Sequence, residues 1–481
     1  MTRRLVHVGI AFLAVYGLLF FRLEMVQIVS AENIRKHPEN SRQIRLDFDA
    51  PRGSIQTADG EIIAKTVAVS GPRNRLRQYP YGSLYSQVVG FISAEHGGSG
   101  IERSHNGFLA GNELSVRIQD TRDLFIDQAR TGQVELSLRH DVQLVTRAAM
   151  AGHEGTVVVI EPDTGSIWGM WSNPHFDPNH LASHDLSAAA IDFNTLDSDS
   201  AQPLQNRAEY QGVEIGSLFT VVTAAAAIEN NLSDIIIPTT ETFPASSDLP
   251  IITNPDGNKC GGTIKSLMIN SCRSGWATIG NEIGYDSLKD VTKRFGLIDN
   301  DPLQSQNSLP GTASPASLAS SASHAAVGMS MRLTPLQVAT LFATISNGGS
   351  QIQPRLVNRV RAHDGSITHN FETQVLNQSV SKETASELLG LLSENVINGD
   401  AAGLQLNDVP MGGLLASSFS QSNHLWMVSL APVTRPEVVV AVLLEGDDFD
   451  DRQIAEATIA GISRRITEAV LRLPSPTLGE S

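Results

Sequence analysis

The stretch Glu214-Ile215-Gly216-Ser217-Leu218-Phe219-Thr220 is followed by Val221-Val222-Thr223 and then by a run of four alanines, and the chain around it can be interpreted outward from this point. Alanine has the highest helix propensity, and the pair Asn230-Asn231 suits a helix end, so the sequence predicts a helix that begins near Ser217. A serine at a helix start lies at the positive end of the helix dipole, which stabilises an oxyanion there. Ser217 is therefore a candidate nucleophile.

The group that would activate Ser217 is missing from its expected position. In serine acyl-transfer enzymes with an S-x-x-K motif, a lysine one helical turn beyond the serine takes the serine proton. This chain has Thr220 at that position, and a threonine hydroxyl is no base near neutral pH. Without wider context, Ser217 is an ordinary helix N-cap, and Thr220 is a helix residue that bonds its hydroxyl to the preceding turn.

Length, charge and the N-terminus set the class of protein. The 481 residues leave room for two or three domains, and the net charge of −16 argues against a nucleic-acid partner. Arg3 and Arg4 precede an apolar run, Leu5–Phe21, which as a helix would span roughly 25 Å. We expect a single-pass membrane anchor with the body on the extracytoplasmic side. A cleaved signal peptide with a weak processing site at Val29-Ser30-Ala31 is the alternative, and both export the chain.

The only two cysteines, Cys260 and Cys272, are twelve positions apart. Outside the cytoplasm they could close a small loop by a disulfide, and the alternative is two free thiols. Two cysteines alone make no convincing zinc site.

Secondary-structure patterns predict an α+β fold. Residues 31–133 combine strand-like runs, among them Gln87–Phe91, with frequent turns and no catalytic cluster, so we interpret them as a docking domain. From Val134 onward the patterns predict two hairpins, several helices and a closing helix from Arg452, with a long surface loop over Leu303–Ser323. An antiparallel sheet flanked by helices fits this order of elements.

Short sequence motifs at characteristic spacing occur through most of the chain: Pro51-Arg52-Gly53, Glu161-Pro162-Asp163-Thr164-Gly165, Asn173-Pro174-His175-Phe176-Asp177-Pro178-Asn179, Asn206-Arg207-Ala208, Leu333-Thr334-Pro335-Leu336-Gln337 and Asn347-Gly348-Gly349. In this order they resemble a class B penicillin-binding protein of the penicillin-binding protein A type, a family of membrane-anchored D,D-transpeptidases that cross-link peptidoglycan. The resemblance covers nearly the whole chain.

The resemblance implies a domain order and a set of partners. Residues 1–30 would be the cytoplasmic tip and transmembrane anchor, 31–133 a docking domain of the dimerisation type, 134–475 a penicillin-binding, serine-β-lactamase-like transpeptidase domain, and 476–481 a tail. The partners it implies are peptidoglycan stem peptides or β-lactams, bound weakly or not at all, together with the cytoplasmic membrane and proteins of cell-wall synthesis or division. It implies no cofactor and no metal.

Three motifs carry the chemistry of this family, and the chain departs from all three. Ser217-Leu218-Phe219-Thr220 keeps the nucleophile of S-x-x-K and loses the base. Ser271-Cys272-Arg273 keeps the proton-shuttling serine of S-x-N, but Arg273 replaces the amide that would hold a substrate carbonyl. Leu414-Leu415-Ala416 stands where K-T-G would bind a substrate carboxylate, and Ser417 keeps the hydroxyl that follows that motif.

Two hypotheses follow. The first is a membrane-anchored pseudo-transpeptidase that acts as a scaffold or regulator in peptidoglycan assembly. The second is an active serine D,D-transpeptidase or carboxypeptidase with a non-standard base, for which the candidates are His424, Lys259 and Lys265. In either case Ser217, Ser271 and Ser417 should line one cleft.

Two further residue patterns have alternative interpretations. Arg273 could recognise an acidic ligand, or it could be a paired or solvated arginine. The acidic cluster Glu445–Asp451 suits a solvated turn better than a calcium site, because it lacks the D-x-D-x-D-G spacing.

Overall fold

A computed structural model describes residues 2–25, 47–70, 73–117, 130–210, 212–244, 250–298, 321–329, 331–418, 424–446 and 452–474. Within these ranges the helices are α1 (Thr2–Glu24), α2 (Ser86–Val89), α3 (Gly100–Ser104), α4 (Asn106–Leu109), α5 (Leu114–Arg117), α6 (His140–Ala149), α7 (Pro178–Leu181), α8 (Leu186–Ser198), α9 (Arg207–Tyr210), α10 (Thr220–Glu229), α11 (Ile264–Ile269), α12 (Arg273–Ile283), α13 (Tyr285–Arg294), α14 (Ala322–Ala326), α15 (Pro335–Ser346), α16 (Lys382–Asn398) and α17 (Arg452–Arg472).

The strands in the same ranges are β1 (Ile55–Gln56), β2 (Ile62–Ala68), β3 (Arg75–Gln78), β4 (Ile92–Ser93), β5 (Gly97–Gly98), β6 (Gln133–Leu136), β7 (Glu154–Ile160), β8 (Ile167–Asn173), β9 (Val213–Glu214), β10 (Ile237–Thr240), β11 (Thr242–Phe243), β12 (Ile252–Thr253), β13 (Cys260–Gly262), β14 (Arg332–Leu333), β15 (Ser350–Ile352), β16 (Val357–Arg361), β17 (Ile367–Asn370), β18 (Val375–Gln378), β19 (Gly412–Ser417), β20 (His424–Ala431) and β21 (Val438–Glu445).

The larger part of the chain is built on a five-stranded antiparallel sheet in the order β19-β20-β21-β7-β8. Its central strands are almost continuously apolar, because they are covered by helices. Helix α17 packs on β20 and β21, α15 on β7 and β21, and α6 on β8. The predicted antiparallel sheet flanked by helices is confirmed, and the fold is mixed α and β.

A second sheet has six strands in the order β17-β16-β6-β1-β2-β3. Strand β6 lies between β1, its parallel neighbour, and β16, its antiparallel neighbour. Strands β16 and β17 come from late in the chain, so this sheet joins the predicted docking domain to the second half of the molecule. The predicted domain boundary near residue 134 stays a prediction.

Glu102 is the centre of a buried ion network in the N-terminal part. Its carboxylate accepts from Arg52 Nε at 2.5 Å and from Arg77 Nε at 2.6 Å, and the carboxylate is fully buried. Tyr79 donates its hydroxyl to the same group at 3.2 Å. The segment before β1, which carries Arg52, and strand β3 with the following Tyr79 are thereby held to α3.

Several local expectations can be compared with the structure. The strand predicted over Gln87–Phe91 is wrong, because Ser86–Val89 form helix α2, whose residues are all buried. A valine can bury its side chain in a helix as well as in a strand, so strand propensity alone does not predict which of the two forms. The predicted loop Leu303–Ser323 lies outside the described residues apart from its last three positions. Among the described residues, no helix is both long and apolar enough to cross a membrane.

Candidate active site

Ser217 lies in a 3₁₀ turn, Gly216–Phe219, that runs directly into α10. Gly216 has a φ of +50°, and a Cβ atom there would lie 2.1 Å from the carbonyl oxygen of Ser417. Only glycine fits both the left-handed conformation and this close approach. The turn that carries Ser217 is therefore packed against the end of β19, the strand that carries the third motif.

The hydroxyl of Ser217 has no base within hydrogen-bond reach among the residues that the structure describes. Thr220 is 2% exposed and donates its hydroxyl to the Ser217 carbonyl oxygen at 2.7 Å, as expected for a helix residue. Ser217 itself is 9% exposed and caps no helix through its side chain. The helix thus presents the serine without a partner that could take its proton.

Ser271 begins the second motif with a φ of 46°, an uncommon conformation for serine. It donates its hydroxyl to Asp400, which also accepts from Asn395 at 3.0 Å. Burial raises the pKa of Asp400 to about 6, although the two hydrogen bonds lower it and part of the residue reaches solvent. The serine that would shuttle a proton is thus bonded to a carboxylate near α16.

The next residue of this motif, Cys272, forms a disulfide with Cys260. Of the two alternatives that the sequence leaves open for the cysteines, the structure has the bonded one. The bridge connects β13 to the residue immediately before α12, and so it fixes the start of the helix that begins with Arg273.

Arg273 links the second motif to the third. Its Nη2 atom donates to the Ser417 hydroxyl at 3.3 Å, across 144 positions of sequence. Burial lowers the pKa of Arg273 to about 10; nearby Arg452 adds to this effect, and Glu214 opposes it. The side chain therefore stays charged at neutral pH, and it lies beside the turn of Ser217.

The remaining positions of the third motif belong to the core. Leu414, Leu415 and Ala416 are 2%, 4% and 3% exposed, in a strand paired along its length with β20. None of the three side chains offers a charge or a hydrogen bond.

None of the three candidate substitute bases is bonded to Ser217. His424 lies 3.7 Å from Glu445, and burial lowers its pKa. Lys265 pairs with Glu394 at 2.9 Å on the surface, and Lys259 is exposed. Within the acidic cluster, Glu445 pairs with Arg207, and the residues beyond Gly446 lie outside the described part of the chain.

The site thus combines predicted residues with others that sequence reasoning missed. The turn of Ser217, Ser417 and Arg273 are contiguous, whereas the hydroxyl of Ser271 faces Asp400. Asp400, Asn395 and Glu214 were not predicted, since each lies far in sequence from the motif residue that it influences. Only the fold brings them to the site.

Comparison with known proteins gives two family matches in separate ranges of the chain. The family model of the penicillin-binding protein transpeptidase domain matches residues 155–468, and that of the penicillin-binding protein A dimerisation domain matches residues 52–134. The chain belongs to the class B penicillin-binding proteins. The peptidoglycan D,D-transpeptidase PbpA of Mycolicibacterium smegmatis is 30% identical over 98% of this chain and 99% of the relative.

Solved structures give the same result. Penicillin-binding protein A from M. tuberculosis, as its imipenem acyl-enzyme complex, has a TM-score of 0.81 at 27% identity and covers 89% of this chain and 99% of that one. Its penicillin G acyl-enzyme complex has a TM-score of 0.79 at 28% identity and covers 88% and 100%. This chain is thus similar over most of its length to an enzyme that β-lactams acylate.

Proposed function

We propose that this penicillin-binding protein is a pseudo-transpeptidase: a member of the peptidoglycan-assembly machinery whose transpeptidase domain acts as a scaffold or regulator and does not cross-link. The observation that carries the proposal is the environment of Ser217. Among the described residues its hydroxyl has no hydrogen-bonding base, and the hydroxyl at the base position, Thr220, is bonded to backbone. A nucleophilic serine needs an adjacent base to react at a useful rate.

The expected loss of reaction rate favours an inactive site. Removal of one member of a catalytic unit costs about 10⁴ to 10⁶ in rate, and further losses add little because the members act together. Residual acceleration by the helix dipole and oxyanion donors, roughly 10³ over water, would leave turnover too slow to build a wall. The apolar pair Leu414-Leu415 also removes the usual anchor for a substrate carboxylate.

Labelling with a fluorescent penicillin tests the proposal. We expect the purified protein to take up no label within minutes, and its mass to stay unchanged, like the Ser217→Ala variant. Penicillin-binding protein A from M. tuberculosis, which forms an acyl-enzyme with penicillin G, is the positive control. Stoichiometric labelling that disappears in Ser217→Ala would contradict the proposal and favour the alternative, an active D,D-transpeptidase or carboxypeptidase with a non-standard base.

We also propose that the N-terminal segment directs the chain across the cytoplasmic membrane and leaves the body outside, where it meets cell-wall synthesis or division proteins through its docking domain. Arg3 and Arg4 before the apolar run support this orientation. The disulfide between Cys260 and Cys272 also supports it, because disulfides persist in oxidising compartments.

Fractionation of cells with protease treatment from outside tests the location. We expect the chain in the membrane fraction and digestion of the body by external protease. Recovery of the body outside the cell but free of membrane would favour a cleaved signal peptide. An intact body in the cytosol would contradict export, and with it a role at the wall.

A further inference from the structure

We propose that the cavity between the end of α6 and strand β8 is a docking site for a partner protein, filled by a segment that presents an acidic side chain next to a large apolar one. Strand β8 forms the opposite edge of the five-stranded sheet from the motif strand β19. Four strand spacings of about 4.8 Å separate the two strands, so the site is distinct from the cleft of Ser217. The inference goes beyond the proposed function and holds whether or not the cleft is catalytic.

The cavity has a volume of about 450 Å³, which is within the range of sites that hold small ligands or anchoring side chains. Its wall on the helix is apolar, because Leu144, Ala148 and Ala151 follow one another at spacings of four and three residues. All three are exposed, with Leu144 at 45%. The opposite wall includes Trp171 of β8, which is 5% exposed. The small alanines leave room for a large apolar side chain.

One cation lines this cavity. Arg147 in the last turn of α6 is exposed, and among the described residues it has no ion pair and no hydrogen-bond partner. Burial lowers the pKa of His175, Arg147 adds to the lowering, and the backbone of His175 partly opposes it. The imidazole is therefore neutral at pH 7. Arg147 is then the single charged side chain among the lining residues, and it is available to an anion.

The cavity wall also contains a donor without an acceptor. Nε1 of Trp171 is buried and has no hydrogen-bond partner in the described part of the chain. The ring of His175 lies edge-on to this indole, with 5.7 Å between the ring centroids. Buried donors nearly always have an acceptor. A carboxylate in the cavity is an acceptor that the described residues do not provide.

These features favour a protein segment over a lipid surface. Polybasic sites for anionic membranes contain about four to eight cations, whereas this cavity has Arg147 alone. The exposed wall on α6 leaves the cavity open to solvent, so a chain can enter and leave on either side of an inserted side chain. One acidic and one apolar residue in such a segment match the cation and the apolar wall.

The site adjoins the contact between the two halves of the molecule. Asn173 and His175 both line the cavity, and Pro174 between them accepts a hydrogen bond from Gln87 Nε2 at 2.8 Å. Gln87 belongs to α2, in the predicted docking domain. A partner bound here would thus contact the loop that α2 holds in place.

Calorimetric titration of capped tetrapeptides into the purified full-length chain tests the inference. The probe has phenylalanine followed by glutamate between two glycines. One comparison peptide has glutamine in place of the glutamate, and the other has alanine in place of the phenylalanine. We expect the probe to bind about 5- to 10-fold more tightly than the glutamine peptide and at least about 10-fold more tightly than the alanine peptide. Equal affinities, or no binding of the probe at millimolar concentration, would overturn the inference.

Variants locate the binding. Arg147→Gln should abolish the preference for glutamate over glutamine, and Leu144→Ala should weaken both phenylalanine peptides about 3-fold. Trp171→Phe should reduce the preference for glutamate, because it removes only the indole donor. The matched control is Arg435→Gln, in the exposed turn between β20 and β21, which should change nothing. An unchanged preference in Arg147→Gln would overturn the inference, and one in Trp171→Phe would contradict the role of the indole.

Two further measurements distinguish other occupants. Dihexanoyl phosphatidylglycerol, titrated below its micelle concentration, should not compete with the probe. Competition that disappears in Arg147→Gln would assign the cavity to a lipid and contradict a protein partner. Light scattering should give the same molar mass for wild type and Arg147→Gln, and loss of a dimer in the variant would assign the cavity to a second copy of this chain. Thermal melting of each variant verifies folding.

Discussion

One buried acidic residue close to the serine turn belongs to none of the three motifs. Glu209, in α9 just before the serine turn, is 1% exposed, and its Oε2 atom has no hydrogen-bond partner among the described residues. Burial raises the pKa of this carboxyl to about 8. The folded protein therefore holds a proton on Glu209 at neutral pH, whereas the unfolded chain does not.

This proton predicts a specific pH dependence of stability. Between about pH 4.5, the ordinary pKa, and pH 8 the folded state binds one more proton than the unfolded state, so stability falls as pH rises. The slope approaches roughly 1.4 kcal/mol per pH unit for one group. We expect Glu209→Gln to flatten this part of the profile and to unfold at higher urea concentration than wild type at pH 8. Parallel profiles for the two proteins would show that the carboxyl is ionised or hydrated in the fold.

At the scale of elements, the buried ion network around Glu102 holds the docking domain together. The strands β1 to β3 of this domain belong to the six-stranded sheet that it shares with the rest of the chain. Burial opposes the charge of Glu102, but Arg52 and Arg77 outweigh it and hold its pKa below the ordinary value. The network stabilises the folded state at pH values above the ordinary pKa of a glutamate. This contribution is lost as the pH falls through the lowered pKa of Glu102. Breaking such a pair leaves uncompensated charges in the core.

We therefore expect Glu102→Gln to lower the free energy of unfolding by about 3 to 5 kcal/mol at pH 7, measured by urea denaturation. The matched control is Glu468→Gln, which removes an exposed partner of Arg472 in α17 and should cost less than about 1 kcal/mol. Equal effects of the two substitutions would show that the buried network contributes no more than a surface ion pair.

At the scale of the whole molecule, the six-stranded sheet makes the two predicted domains interdependent. Strand β6 has β1 on one side and β16 on the other, and Glu135 in β6 pairs with Arg359 in β16 at 2.8 Å. Ile55 and Ile63 from the first strands are almost completely buried. Removal of the N-terminal strands would thus expose an unpaired strand edge and part of the core.

We expect a fragment of residues 134–474 to aggregate or to melt well below the full chain, whereas a fragment of residues 47–474 should match it. Size-exclusion chromatography and thermal melting measure the difference. If the shorter fragment were monomeric and equally stable, the sheet would not couple the two halves.

Local pattern was sufficient for several of the helices and strands and for the positions of the motifs. Apolar runs separated by turn residues gave the pairs β7–β8 and β20–β21, and helical spacing gave α6, α15 and α17. The order of the short sequence motifs gave the family. These signals lie within a few residues of each other, where helix and strand periods are directly visible. The residue types at the three motifs likewise show that the base, the amide and the carboxylate anchor have been replaced.

Tertiary structure alone decided how those residues are used. The bond from Arg273 to Ser417 spans 144 positions, and the bond from Ser271 to Asp400 spans 129. The pairing of β6 with β1 and β16, the helix at Ser86–Val89 and the burial of Glu209 depend in the same way on distant parts of the chain. A sequence pattern shows which interactions each side chain is able to make. The charge and the partner of a buried side chain depend on which distant residues the fold brings next to it and on how much water the fold removes, and neither can be seen in the local sequence.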